Sequence, residues 1–105
     1  MVFVELPSFT KAIRELCDDD DLRALQNALL KNPETGDVIP SSGGVRKMRW
    51  AAKGHGKRGG SRVIYFYANQ RQQILLLFAY PKSVKTDLNA QEIKLLKSLV
   101  KELMS

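Results

Sequence analysis

Cysteine is nearly absent from this chain. Cys17 stands alone, which excludes an intrachain disulfide and a cysteine-based zinc site and suggests a reducing compartment. Membrane-length apolar runs are missing as well. The start, MVFVELPSF, has no basic leader segment and is not read as a signal peptide. The apolar run from Ile74 to Tyr80 is far too short to span a bilayer. A soluble, cytoplasmic protein with no membrane partner is expected. The chain shows no internal repeat, and its 105 residues are read as one domain, 1–105, with one modest core.

The most informative absence is of acid. No Asp or Glu falls between Val38 and Thr86, where ten Lys or Arg residues lie; all eleven acids sit between Glu5 and Asp37 or between Asp87 and Glu102. The net charge of +6 therefore understates the asymmetry. One strongly positive face is expected, and a polyanion is the partner it suits. Hydrophobic residues at 44% and charged residues at 27% are ordinary for a globular domain, so disorder is excluded as the general reading.

What is present centres on Val45 to Tyr67, VRKMRWAAKGHGKRGGSRVIYFY. This stretch carries Arg46, Lys47, Arg49, Lys53, Lys57, Arg58, Arg62 and the single histidine, His55. Both ends alternate like strands around a glycine-rich middle. Cations along strands and a loop can follow a phosphate backbone, and glycines let loop amides approach a phosphate. A solvated cationic hairpin serving only solubility is the plain alternative.

Taken in order, Val2 to Leu6 reads as a strand closed by Pro7, and Ser8 as the N-cap of a helix with Phe9, Ile13 and Leu16 on one stripe. Asp18 to Asp21 precede Leu22, Leu25 and Leu29. These acids suit a helix N-terminus, and consecutive aspartates cannot all converge on one metal ion. The second helix ends near Lys31, and residues 33 to 44 read as a loop rich in Pro, Gly and Ser. In Val45 to Trp50, alternation puts Met48 and Trp50 on one face and Lys47 and Arg49 on the other, open face. Trp50 is read as core, with base stacking as the alternative. Arg62 to Ala68 is a strand, Asn69 to Gln72 a polar turn and Gln73 to Tyr80 a central strand. A loop with Lys82 and Lys85 follows. Asn89 and Glu92 then form a capping box opening a helix with Ile93, Leu96, Leu99, Val100 and Leu103. That last helix either packs on the core or docks a partner. The order is β-α-α-β-β-β-α: an α+β domain with a helical hairpin on a mostly antiparallel sheet and a C-terminal helix.

Cutting RNA without metal requires a base for the 2′-OH proton, cations for the pentacoordinate phosphate and an acid for the leaving oxygen. The basic half holds no acidic pair for two-metal chemistry, so Lys, Arg and His55 must serve, and neither a metal nor another cofactor is expected. Crowded cations lower a lysine's pKa and fit it as a base; arginine's planar fork fits it as a clamp, with Arg62 first in line. His55 is either a proton carrier or an exposed loop residue. Tyr80 either meets a base, by stacking or through its hydroxyl, or is a buried strand end.

The run Gly43-Gly44-Val45-Arg46-Lys47-Met48-Arg49-Trp50, continued by Lys53-Gly54-His55-Gly56-Lys57-Arg58-Gly59-Gly60-Ser61-Arg62-Val63-Ile64-Tyr65, resembles the HigB-type branch of the RelE toxin superfamily. The likeness takes in Gly36-Asp37-Val38-Ile39, the stretch Thr86 to Asn89 and nearly the whole chain. It implies a RelE-like fold and the toxin of a toxin–antitoxin module, an endoribonuclease that cuts messenger RNA in the ribosomal A site by 2′-OH attack. It assigns Lys47, Arg49, Arg62 and Lys82 to the cationic site, with Lys57 and His55 added as catalytic candidates. Arg46, Lys53, Arg58, Tyr80 and Lys85 are expected to bind RNA. There are departures: Lys82 replaces a family arginine, Leu88 stands where RelE itself has a tyrosine, and His55 stands where the branch often has lysine. The implied partners are an antitoxin with a helix-turn-helix domain, the ribosome with its messenger RNA, and operator DNA through the antitoxin. A non-catalytic RNA- or ribosome-binding module, or an inactivated toxin serving in a repressor, is the competing reading.

Overall fold

The computed structural model describes residues 1–50, 60–85 and 87–105. Strand β1 (Val2–Glu5) leads into helix α1 (Pro7–Leu16). Pro7 opens α1 because its fixed φ suits the first helical position and its missing N–H would go unpaired there anyway. The N-cap is Leu6, without a side-chain cap, so Ser8 is not the cap that the sequence suggested. Phe9 and Ile13 are buried one turn apart.

Helix α2 (Asp19–Lys31) begins with a reciprocal capping box: the Asp21 amide donates to Asp18 Oδ1 at 2.9 Å, and the Asp18 amide donates to Asp21 Oδ2 at 3.3 Å. The acid run therefore serves the helix start, where its charge meets the positive end of the dipole. Cys17, buried at the end of α1, is pushed up to about 11 by burial and then by the charges of Asp21, Asp18 and Asp19.

The sheet has five strands rather than four. The segment read as loop contains a two-residue strand, β2 (Asp37–Val38), too short to leave a period in the sequence. It pairs antiparallel with β3 (Arg46–Trp50), placing Asp37 opposite Lys47. Strands β4 (Ser61–Ala68) and β5 (Gln73–Pro81) complete the order β1-β5-β4-β3-β2, in which only β1 and β5 run parallel. The segment before β2 is held from beneath. The buried Tyr65 hydroxyl donates to the Pro33 carbonyl and accepts from the Gly36 amide, both at 2.8 Å. A Cβ at Gly36 would stand 2.9 Å from the Tyr65 ring and 3.0 Å from the Lys47 carbonyl, so only glycine fits. Gly44, with φ of +104°, closes the turn into β3 in a conformation other residues resist.

A bulge sets which side chains of β5 reach which face. The pairing skips from Ile64↔Phe78 to Tyr65↔Leu76, leaving Leu77 as an extra residue. Leu75 and Leu77 pack on the side of the last helix, Ile74, Leu76 and Ala79 on the side of α1 and α2. Past the bulge, Tyr80 rather than Ala79 lies opposite Arg62 on the former side. The Leu77 carbonyl accepts a hydrogen bond from the Ser8 hydroxyl at 2.7 Å. Ser8 thus braces the irregular strand instead of capping its helix.

Helix α3 (Ala90–Leu103) carries the expected capping box, with Asn89 Oδ1 accepting from the Glu92 amide at 2.8 Å and Glu92 Oε1 from the Asn89 amide at 2.9 Å. Val100 is buried, and Ile93, Leu96, Leu99 and Leu103 pack with Ile39, Val45, Ile64, Leu75 and Leu77. α3 is therefore core-packed. Arg71 closes its far end by donating to the carbonyls of Leu103 and Met104 at 3.3 and 3.0 Å. Both faces of the sheet are covered, so the face expected to be open is only partly so. Its uncovered part lies toward β3 and the adjoining ends of β4 and β5.

Candidate nucleic-acid interface

Alternation along β3 sends Lys47 and Arg49 to the α3 side, while Met48 and Trp50 join the cluster under α1 and α2. Antiparallel pairing sets Arg49 directly opposite Arg62, and Arg62 directly opposite Tyr80. The Lys82 amide donates to the Gly60 carbonyl at 3.2 Å, which fixes the start of β4 against the end of β5. Lys47, Arg49, Arg62 and Lys82 line one cavity of about 690 Å³. Across it stand two carboxylates, Asp37 and Asp87.

Arg62 is the unusual member. It is 7% exposed, and its one hydrogen bond among the described residues is a 3.5 Å contact from Nη1 to the Ser61 carbonyl. Like charges directly opposite across strands destabilise a sheet, and a buried cation without an ion-pair partner is disfavoured. Among the described residues no carboxylate forms an ion pair with Arg62. Such an arrangement suits an anion that arrives from outside.

The other expected residues are distributed differently. Arg46 has the parity of Met48, not of Lys47. Its guanidinium donates to the Gly36 and Glu34 carbonyls at 2.7 and 3.1 Å and pairs with the Glu34 carboxylate at 3.4 Å. It fastens the segment before β2 and does not line the cavity. Lys85 pairs with Glu92 at the start of α3 and stands 5.4 Å over the Tyr80 ring, so its charge is engaged within the fold. Tyr80 is 2% exposed, which leaves no free ring face for a base and corrects the stacking expectation. Its buried hydroxyl has no partner among the described residues. Burial, and then the charge of Asp87, pushes its pKa up, against the pull of Arg62. His55, Lys53, Lys57 and Arg58 lie outside the described residues.

Sequence reasoning missed Asp87. It pairs with Lys47, forty residues away, and the hydrogen bond from that ammonium holds its carboxyl below the ordinary value, aided by the charges of Lys47 and Arg62. Asp37 was quoted only within a motif, and its cross-strand place beside Lys47 depends on the unforeseen β2. Two carboxylates therefore border a site read as free of acid. Among the described residues no three His, Cys, Asp or Glu side chains converge as a metal site would need.

The family model for the RelE toxin of RelE/RelB toxin–antitoxin systems matches residues 7–105. The chain belongs to that family. An antitoxin is accordingly its partner, and the basic concavity lies on the toxin. Among the described residues no helix is long and apolar enough to cross a membrane.

Proposed function

We propose that this toxin is a ribosome-dependent endoribonuclease of the HigB type that cuts messenger RNA in the A site without a metal ion, in the cytoplasm. The observation that carries the reading is the like-charge pair Arg49 and Arg62, one of them buried, within a cavity shared with Lys47 and Lys82. Two guanidinium forks on neighbouring strands suit the equatorial oxygens of a phosphorane, where negative charge grows as the reaction proceeds.

In the proposed step the 2′-OH gives its proton to a base while its oxygen bonds to phosphorus. The bond from phosphorus to the 5′ oxygen breaks, and that oxygen takes up a proton. The products are a 2′,3′-cyclic phosphate and a 5′-OH. The ion pair with Asp87 supports a role for Lys47 in supplying charge or a proton. His55 and Lys57 keep their part in proton transfer on sequence grounds alone. The antitoxin is proposed to carry a helix-turn-helix domain and to link the toxin to operator DNA.

The double variant Lys47→Ala/Arg62→Ala tests the assignment. It is expected to abolish growth inhibition and message cleavage while its circular dichroism stays that of the folded protein. Undiminished growth inhibition would place the chemistry elsewhere.

A further inference from the structure

Two buried polar groups stand opposite each other on β4 and β5, each poorly partnered within the fold. One is the Arg62 guanidinium, which among the described residues reaches only the Ser61 carbonyl, at the long distance of 3.5 Å. The other is the Tyr80 hydroxyl, shielded from solvent and without a hydrogen-bond partner among the described residues. Arg62 and Tyr80 are direct cross-strand neighbours, and the bulge at Leu77 is what turns Tyr80 to the α3 side to meet Arg62. A buried hydroxyl left unpaired costs stability, and phenylalanine would fill the same space without that cost. The ring has contacts of its own: the Lys85 ammonium stands 5.4 Å from its centre, and the Phe78 ring centre lies 6.1 Å away. Neither contact uses the hydroxyl.

We propose that Tyr80 is a positioning residue for Arg62: its hydroxyl accepts a guanidinium N–H when a phosphate occupies the cavity and so holds the fork on the phosphate oxygens. The proposal rests on the ribonuclease reading. Donor and acceptor are complementary. Arginine carries only donors, and a phosphate takes those along one edge of the fork. The remaining N–H groups of a buried guanidinium still need an acceptor, and the hydroxyl oxygen on the neighbouring strand supplies one. A neutral acceptor suits this place better than a carboxylate, which would pair with Arg62 and cancel the charge that the phosphate meets. The hydroxyl stays neutral, because burial and then the charge of Asp87 push its pKa up. Orientation matters because a transition-state donor works best when it is fixed before the reaction.

Tyr80→Phe removes the hydroxyl and keeps the ring. Single-turnover cleavage on programmed ribosomes is expected to slow by about tenfold or more, the scale of one hydrogen bond to a charged group. The ribosome concentration that half-saturates the rate should stay the same, and the melting temperature should not fall. In an Arg62→Met background the same change should cost nothing further, since the group it positions is gone. Unchanged cleavage by Tyr80→Phe, a lowered melting temperature, or losses that multiply in the double variant would each overturn the proposal. A second measurement does not depend on cutting: titration with inorganic phosphate, followed by the Arg62 Nε–H signal. Phosphate is expected to move that signal in the parent protein and to move it less in Tyr80→Phe. Equal responses, or none, would overturn the pairing. Absence of any cutting by the parent protein, with this difference intact, would instead overturn the ribonuclease reading alone.

Discussion

At the scale of the residue, the candidate site holds one charge, on Arg62, that costs the fold stability and serves the proposed function. Arg62 is buried opposite another arginine, an arrangement that costs stability and fits a bound phosphate. Arg62→Met keeps the bulk of the side chain and removes the charge. It is expected to melt no lower than the parent protein, while cleavage falls by about 100-fold or more, the scale of losing one transition-state donor. Thermal melts beside cleavage rates check this, and a large drop in melting temperature would make Arg62 a structural residue. Lys47, Arg49 and Arg62 could be read from the sequence because strand alternation alone fixes their side of the sheet. The same parity would have removed Arg46 from the site, since it alternates with Met48. Asp87 could not be read, because its pairing with Lys47 spans forty residues and depends on how α3 meets the sheet.

Elements deliver those residues through a few positions that look incidental in the chain. β2 brings Asp37 beside Lys47 only because Tyr65, Gly36 and Arg46 hold the preceding segment down. A methyl at Gly36 must displace the Tyr65 ring or the Lys47 backbone. Gly36→Ala is therefore expected to destabilise by about 1–3 kcal/mol, as overpacking does. A lowered denaturant midpoint at unchanged slope would show it. Cleavage should fall as well, since the wall beside Lys47 loosens. The helices, the later strands and the last capping box were legible in periodicity and cap residues. The bulge at Leu77 was not: no glycine or proline marks it, and its brace, Ser8, sits where a helix cap is ordinarily expected. Were the strand to alternate without the bulge, Ala79 instead of Tyr80 would face the α3 side.

At the scale of the molecule, acid and base are segregated in sequence but partly reunited in space. Asp87, brought back by the start of α3, tempers the cationic cavity. Its folded-state pKa lies below the ordinary 3.8, so its pairing with Lys47 stabilises the fold above that value. The contribution is lost as the pH falls through the lowered folded value. Asp87→Asn should consequently lose less stability than the parent protein when pH drops from neutral to below 3.8. Denaturant midpoints at the two pH values compare them, and parallel losses would argue against the pair. The positive concavity suits a polyanion, and the proposed occupant is RNA. The central claim, that this occupant is a message cut on the ribosome, is tested most directly by mapping 5′ ends in a purified translation system with and without ribosomes. Cuts confined to the A-site codon and present only with ribosomes are the predicted result. Folded protein that produces no cuts in either condition would contradict it.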